Sequence, residues 1–105
     1  MDNFYGSVRF GLLGFIVCGA LCLDHGDHFI DIGSGCGMIP NAIGLYLPFV
    51  SCEGIELDRC HLNVAQQTSD MLEECHESLC SFSPPQFLEG DFRNKLFMKE
   101  LLSQP

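Results

Sequence analysis

A glycine-rich segment preceded by an acid is the part of this sequence whose residue types best suit ligand binding. The segment from Asp31 to Gly37 reads DIGSGCG and lies between a β-rich run and a helical stretch. Glycines at alternate positions let the backbone turn tightly and come close to a ligand. The dinucleotide fingerprint GxGxxG needs a glycine where the chain has Met38, so that fingerprint fails. The segment therefore predicts a close-approach loop for a different ligand.

Two further acids follow predicted strands. Glu56 ends the run GIE and can accept both hydroxyls of a ribose. Asp91 stands in the run GDF after a third strand, where it can accept from an adenine amine, with Phe92 packing near the base. Taken alone, a glycine loop is often structural and an acid at a strand end is more often a cap. Their order at three successive strand ends indicates a ligand site, because parallel sheets bind ligands at the carboxyl ends of their strands.

An acid followed by GxGxG resembles the S-adenosylmethionine-dependent methyltransferases of the Rossmann-like class. The resemblance implies S-adenosyl-L-methionine as the cofactor, with its amine held by Asp31 directly or through water. A related α/β fold without this cofactor is the alternative.

The motifs also resemble one methyltransferase family, the histone-lysine methyltransferases named for disruption of telomeric silencing. The matching motifs are YG at Tyr5, the loop FIDIGSGCG, GIE ending at Glu56, and EGDF ending at Phe92. This resemblance implies methyl transfer to a lysine of a histone or another basic protein, and a nuclear, intracellular location. The residues that it places around the cofactor are Tyr5, Asp31, Gly33, Ser34, Gly35, Gly37, Glu56, Asp91 and Phe92. Catalysis of this transfer is mostly positioning, so no catalytic side chain and no metal ligand is expected.

The chain also departs from that family. Ser7 replaces a glutamate, and Met38 stands where glutamine is common. The resemblance covers residues 5–92, and we expect residues 1–105 to form a partial methyltransferase domain that ends before the fourth strand. On that expectation the isolated chain does not methylate. The alternatives are a catalytically inert binding or regulatory module of the same fold, and a methyltransferase for another protein or a small molecule.

Alternating strands and helices are predicted to position these motifs. Short β-rich runs predict strands, and apolar residues at three- and four-residue steps predict the long helix. The predicted strands are His28–Ile32, Val50–Leu57 and Gln86–Glu89; the predicted helices are Met38–Leu47, Asp58 (as the cap) to about Leu79, and Phe92–Leu102. Connections of this size favour right-handed parallel crossovers. The fold class is α/β: a Rossmann-like doubly wound parallel sheet of the class I methyltransferase type, truncated after about three strands.

Composition limits the remaining possibilities. The chain has 105 residues, 47% of them hydrophobic, and a net charge of −9. This is too apolar for a disordered tail and too acidic for strong direct binding to nucleic-acid phosphates. The apolar run from Phe10 to Leu23 has fourteen residues, fewer than the roughly 20 that span a bilayer, and predicts a buried helix and no membrane partner.

The cysteines do not form a disulfide or metal pattern. Their number, seven, is odd, and most lie in apolar runs, which favours a reducing, intracellular setting. The Cys60-His61 and Cys75-His76 pairs lie on one predicted helix about 22 Å apart, too far for one tetrahedral site.

Overall fold

The computed structural model describes residues 19, 22–76 and 81–103. Its strands are β1 (His28–Ile32), β2 (Ser51–Glu56) and β3 (Gln86–Glu89), all parallel and ordered β1-β2-β3. Its helices are α1 (Met38–Tyr46), α2 (Arg59–His76) and α3 (Lys95–Leu102). The predicted parallel α/β sheet is confirmed, with β1 and β3 at their predicted bounds. Strand β2 lacks the predicted end residues Val50 and Leu57.

The middle strand carries most of the buried surface of the sheet. The four residues from Cys52 to Ile55 are all buried, because β2 has a neighbouring strand on each side. Strands β1 and β3 have only exposed or partly buried residues. The pairing places Asp31 beside Gly54, and Glu56 beside Glu89. All three strands therefore end at the same edge of the sheet.

The core lies between α1 and β2. Ala42, Ile43, Val50 and Cys52 form its buried cluster, with Phe29 packed against them. Ile43 is fully buried, and burying such a side chain stabilises a fold by about 1.5–3 kcal/mol. Pro40 fits within the first turn of α1, where a backbone N–H would have no helical partner. This packing fixes the helix that follows the glycine loop.

The starts of the two later helices are set by side-chain caps. Oδ1 of Asp58 accepts from the backbone N–H groups of Cys60 (2.8 Å) and His61 (3.3 Å), which confirms the predicted cap of α2. Helix α3 starts at Lys95, so its predicted start at Phe92 is wrong. The reason is that Asn94 caps α3: its Oδ1 accepts from the N–H of Phe97 at 3.0 Å.

The apolar run from Phe10 to Leu23 lies outside the described residues, except for Gly19, Cys22 and Leu23. Leu23 packs against the core cluster. Within the described ranges, no helix is both long and apolar enough to cross a membrane. The same ranges contain no group of three or more His, Cys, Asp or Glu side chains able to hold a metal ion.

Candidate functional site

A cleft of about 190 Å³ lies at the carboxyl ends of β2 and β3. Its lining comes from the ends of all three strands: Gly33, Ile55, Glu56, Leu57, Gly90, Asp91, Phe92 and Arg93. This volume is smaller than the roughly 300–1,000 Å³ of a pocket that encloses a whole drug-sized ligand. The described residues thus form an open surface for part of a ligand. Four of the predicted cofactor residues, Gly33, Glu56, Asp91 and Phe92, meet here.

Glu56 ties the glycine loop to the end of β2. Its Oε1 accepts from the N–H of Gly35 at 2.7 Å, and its Oε2 accepts from the N–H of Asp58 at 2.9 Å. The His61 ring nitrogen Nδ1 lies 3.9 Å from Oε2. A carboxylate offers about four lone-pair positions, so one remains on each oxygen of Glu56 after these two backbone bonds. Two hydroxyl groups of one ligand could use them.

The glycines of the loop have different roles. Gly33, Gly35 and Gly37 all have positive φ, of 77°, 58° and 81°. A Cβ at Gly33 would have no atom within 4 Å, so this glycine leaves open space at the cleft. A Cβ at Gly37 would lie 2.6 Å from Cβ of Ala65 and 2.9 Å from Cζ of Phe87. Gly37 thus lets the loop pack tightly against α2 and β3.

Ser34 takes part in the loop through its backbone. Its N–H donates to the carbonyl of Ile55 at 2.9 Å, beside the N–H of Gly33 at 2.8 Å. Its hydroxyl is buried over Gly54, where an added Cβ would lie 2.9 Å from Oγ, and finds no hydrogen-bond partner among the described residues. Its side chain is absent from the lining of the cleft.

Asp31 is the acid at the end of β1 and lies beside the buried centre of the sheet. Its burial, and then the charge of Glu56, raise the pKa of Asp31 to about 6. Glu56 is therefore close enough to Asp31 for its charge to make Asp31 costlier to ionise. A cationic group bound beside Asp31 would offset this repulsion.

Asp91 is held in an ion pair with a neighbour that the sequence interpretation did not include. Arg93 donates to Oδ1 from its backbone N–H (2.9 Å) and from Nε (2.9 Å), and to Oδ2 from Nη2 (2.8 Å). These hydrogen bonds hold the pKa of Asp91 below its ordinary value. Next to them, the ring of Phe92 is 57% exposed, which leaves an aromatic face available at the cleft.

Four lining residues were missed from sequence: Ile55, Leu57, Gly90 and Arg93. Leu57 is 55% exposed although it is apolar. A signal for all four was present, because each is next in sequence to a predicted contact at a strand end: Glu56, Asp91 or Phe92. The predicted contact Tyr5 lies outside the described residues.

Several solved structures with the same fold are methyltransferases. A putative S-adenosyl-L-methionine-dependent methyltransferase from Methanococcus maripaludis has a TM-score of 0.65 at 17% identity, covering 84% of this chain and 37% of that one. A methyltransferase from Geobacter sulfurreducens, solved with S-adenosyl-L-homocysteine, has a TM-score of 0.61 at 20% identity, over 80% of this chain and 30% of that one. One from Thiobacillus denitrificans, in complex with the same ligand, has a TM-score of 0.60 at 21% identity, over 79% and 30%.

These likenesses show the Rossmann-like class I methyltransferase fold, as predicted. The chain spans about a third of the length of these solved structures. A search of curated proteins finds no matching sequence. The family model described as histone methylation protein DOT1 matches residues 1–105, the whole chain. The chain therefore belongs to the DOT1 family of histone methylation proteins.

Proposed function

We propose that this chain is the cofactor-binding part of an S-adenosyl-L-methionine-dependent methyltransferase. The observation that supports this most is the shared cleft of Gly33, Glu56 and Asp91, which come from the ends of three successive strands. A structural glycine loop with capping acids would not need to leave open space at Gly33.

The residues present fit the cofactor in three ways. Glu56 would accept the two ribose hydroxyls with its remaining lone pairs. The exposed apolar side chains of Leu57 and Phe92 would cover the faces of the adenine, and Asp91 would accept from its amine. Asp31 would bind the amine of the methionine end, directly or through water, because a cation relieves its repulsion from Glu56.

The loop residues would contribute through the backbone. Gly33 would give room for close approach, and the N–H of Gly35 would keep Glu56 in place. Ser34 and Gly37 would act by packing, since the hydroxyl of one is buried over Gly54 and the other lies against Ala65. A contact from Tyr5 stays a prediction.

The bound cofactor supplies an electrophilic methyl group on a sulfonium. This chain's residues would hold the donor in a fixed orientation, so that an acceptor amine can meet the methyl in line. Because the solved structures that it matches are about three times as long, we propose that residues 1–105 form part of a larger catalytic domain. The groups that hold the acceptor would come from the rest of that domain.

Family membership supports a lysine of a histone as the acceptor and the nucleus as the location. The net charge of −9 is complementary to a basic protein substrate.

Cofactor binding can be tested without knowing the acceptor, by titrating the full chain with S-adenosyl-L-homocysteine in a calorimeter.

The matched variants are Glu56→Ala and Glu89→Ala. Both remove one carboxylate, from residues that pair across β2 and β3, but Glu89 contacts Arg59 and is outside the cleft. We expect the wild type and Glu89→Ala to bind with similar affinity, and Glu56→Ala to bind more weakly. A folded wild-type chain that binds no ligand at millimolar concentration would refute the proposal.

A further inference from the structure

Arg93 and Asp91 form a local structure that occupies one corner of the cleft. The backbone N–H of Arg93 donates to Oδ1 of Asp91 at 2.9 Å, which closes a tight turn. This turn places the guanidinium next to the carboxylate, and it donates through Nε at 2.9 Å and Nη2 at 2.8 Å. The pair is thus a two-pronged contact between residues two positions apart.

The contact uses most of the acceptor capacity of Asp91. Two of the three hydrogen bonds end on Oδ1 and one ends on Oδ2. Of about four lone-pair positions, one is left, on Oδ2. The adjacent positive charge also weakens the attraction of this oxygen for another donor.

Arg93 offers the cleft something that Asp91 lacks. A guanidinium has five N–H donors and no acceptor, so three donors remain after its two side-chain bonds to Asp91. Both side chains line the cleft. Its corner therefore presents one carboxylate acceptor and several donors side by side.

We propose that Arg93 is a specificity-determining residue of the base subsite, which competes with a purine amine for Asp91 and donates to a purine carbonyl. This rests on the proposed function, in which Asp91 meets position 6 of the base. With Arg93 in place, the cleft discriminates weakly between a 6-amino and a 6-oxo purine. Without it, Asp91 is a bare carboxylate that accepts from the amine and repels the carbonyl oxygen.

The test compares two ligands that differ at this position only, S-adenosyl-L-homocysteine and S-inosyl-L-homocysteine. Their dissociation constants are measured by calorimetry with the full chain as wild type, Arg93→Ala and Arg93→Lys. Arg93 is 70% exposed, so its replacement leaves the fold intact. Arg59→Ala is the matched control, because it removes one positive charge from an ion pair, with Glu89, outside this cleft.

We expect Arg93→Ala to bind the adenosyl ligand about two- to fivefold more tightly, the scale of an exposed ion pair. Arg93→Ala should bind the inosyl ligand more weakly than the wild type does. The preference for the amino ligand therefore increases in Arg93→Ala and stays unchanged in Arg59→Ala. The ligand preference of Arg93→Lys should lie between those of the wild type and Arg93→Ala, since an ammonium keeps the charge but cannot make the two-pronged contact of a guanidinium.

The remaining outcomes separate the two proposals. If the wild type binds and Arg93→Ala shows the same preference or weaker adenosyl binding, the role of Arg93 is wrong and the cofactor site stands. If neither the wild type nor Arg93→Ala binds either ligand although both are folded by circular dichroism, the cofactor site itself is wrong and the role of Arg93 fails with it.

Discussion

The backbone N–H of Gly35 donates a hydrogen bond of 2.7 Å to Oε1 of Glu56. This bond crosses from the loop after β1 to the last residue of β2. It makes the proposed ribose acceptor part of the support of the glycine loop, so that loop shape and ligand affinity depend on one carboxylate. A second hydrogen bond, from the N–H of Asp58 to Oε2, holds the other oxygen of the same carboxylate.

Replacing Glu56 should therefore weaken ligand binding and the loop together. In Glu56→Ala, we expect the binding free energy for S-adenosyl-L-homocysteine to fall by about 1–3 kcal/mol, the cost of leaving hydroxyls unpaired. Its unfolding free energy in urea should also fall, by about 1 kcal/mol, since the N–H of Gly35 loses its acceptor. Glu56→Gln should recover part of the stability, because an amide oxygen can accept from one of the two N–H groups. An unchanged dissociation constant in Glu56→Ala would contradict the assignment.

Asp31 should lower the stability of the chain at neutral pH. Its pKa is about 6 in the folded chain against 3.8 as the ordinary value. The folded state thus binds the proton more tightly, and stability from this group falls as pH rises from about 4 to about 6 and is level above that. We expect Asp31→Asn to be more stable than the wild type by about 1–2 kcal/mol at pH 8, after allowing for solvent screening, and similar at pH 4. Urea unfolding at pH 4, 5, 6 and 8 measures the difference, and a gain that is independent of pH would show that Asp31 is not its source.

Asp31 should also make ligand affinity depend on pH. The affinity should rise with pH, whereas the stability of the chain falls. Protonation of Asp31 removes the charge that would hold the ligand's amine, so affinity should fall below about pH 6, by up to about tenfold per pH unit. Calorimetric titrations between pH 5 and pH 8 test this. Asp31→Asn should bind weakly throughout, and its affinity should lack this fall. A wild-type affinity that is flat over that range would argue against contact between Asp31 and the amine.

Local sequence signals predicted most of the fold, because they depend on residues close in the chain. The strands had β-rich runs bounded by turns, and Asp58 caps α2 as its position indicated. The start of α3 was missed because two caps compete there: Asp91 forms a turn with Arg93, and only Asn94 then begins the helix. Both side chains are good caps, and sequence does not rank them.

The positions of the candidate acids at strand ends were also predictable, whereas their partners were not. The sequence placed Glu56 and Asp91 at strand ends, but their hydrogen bonds to Gly35 and Arg93 depend on side-chain geometry. The separate roles of Gly33 and Gly37 depend on packing between distant segments, since Gly37 meets Ala65 of the second helix.

That difference between the two glycines can be measured with the same substitution. Both have positive φ, so alanine costs about 1–2 kcal/mol of backbone strain at either position. At Gly37 the new Cβ would also meet Ala65 at 2.6 Å, which adds an overpacking cost of about 1–3 kcal/mol. We expect Gly37→Ala to lose clearly more stability in urea than Gly33→Ala. Equal losses would show that the contact relaxes freely. Gly33→Ala should still weaken ligand binding, because its methyl group enters the open space at the cleft.

The last prediction concerns the opposite ends of the strands, where a buried acid depends on one histidine. Oε1 of Glu53 lies 2.7 Å from Nε2 of His28, and Nδ1 of the same ring lies 2.8 Å from Oγ of Ser51. The side chain of Glu53 is only 9% exposed, whereas that of His28 is 44% exposed. Removing His28 therefore leaves a carboxylate in a site that water reaches poorly. We expect His28→Ala to lower the unfolding free energy by about 2–3 kcal/mol, less than a fully buried pair because the ring is partly in solvent.

Two comparison variants identify the cause of that loss. Ser51→Ala removes the exposed hydrogen bond between Ser51 and Nδ1 of His28, and it should lower the unfolding free energy by about 0.5–1.5 kcal/mol. Combining His28→Ala with Glu53→Gln replaces the unpaired charge by a neutral amide, and it should be more stable than His28→Ala alone. The free energies of unfolding of these variants are compared by urea unfolding at pH 7. If the double variant is no more stable than His28→Ala, the loss comes from missing packing of the imidazole ring and the charge of Glu53 is already well solvated.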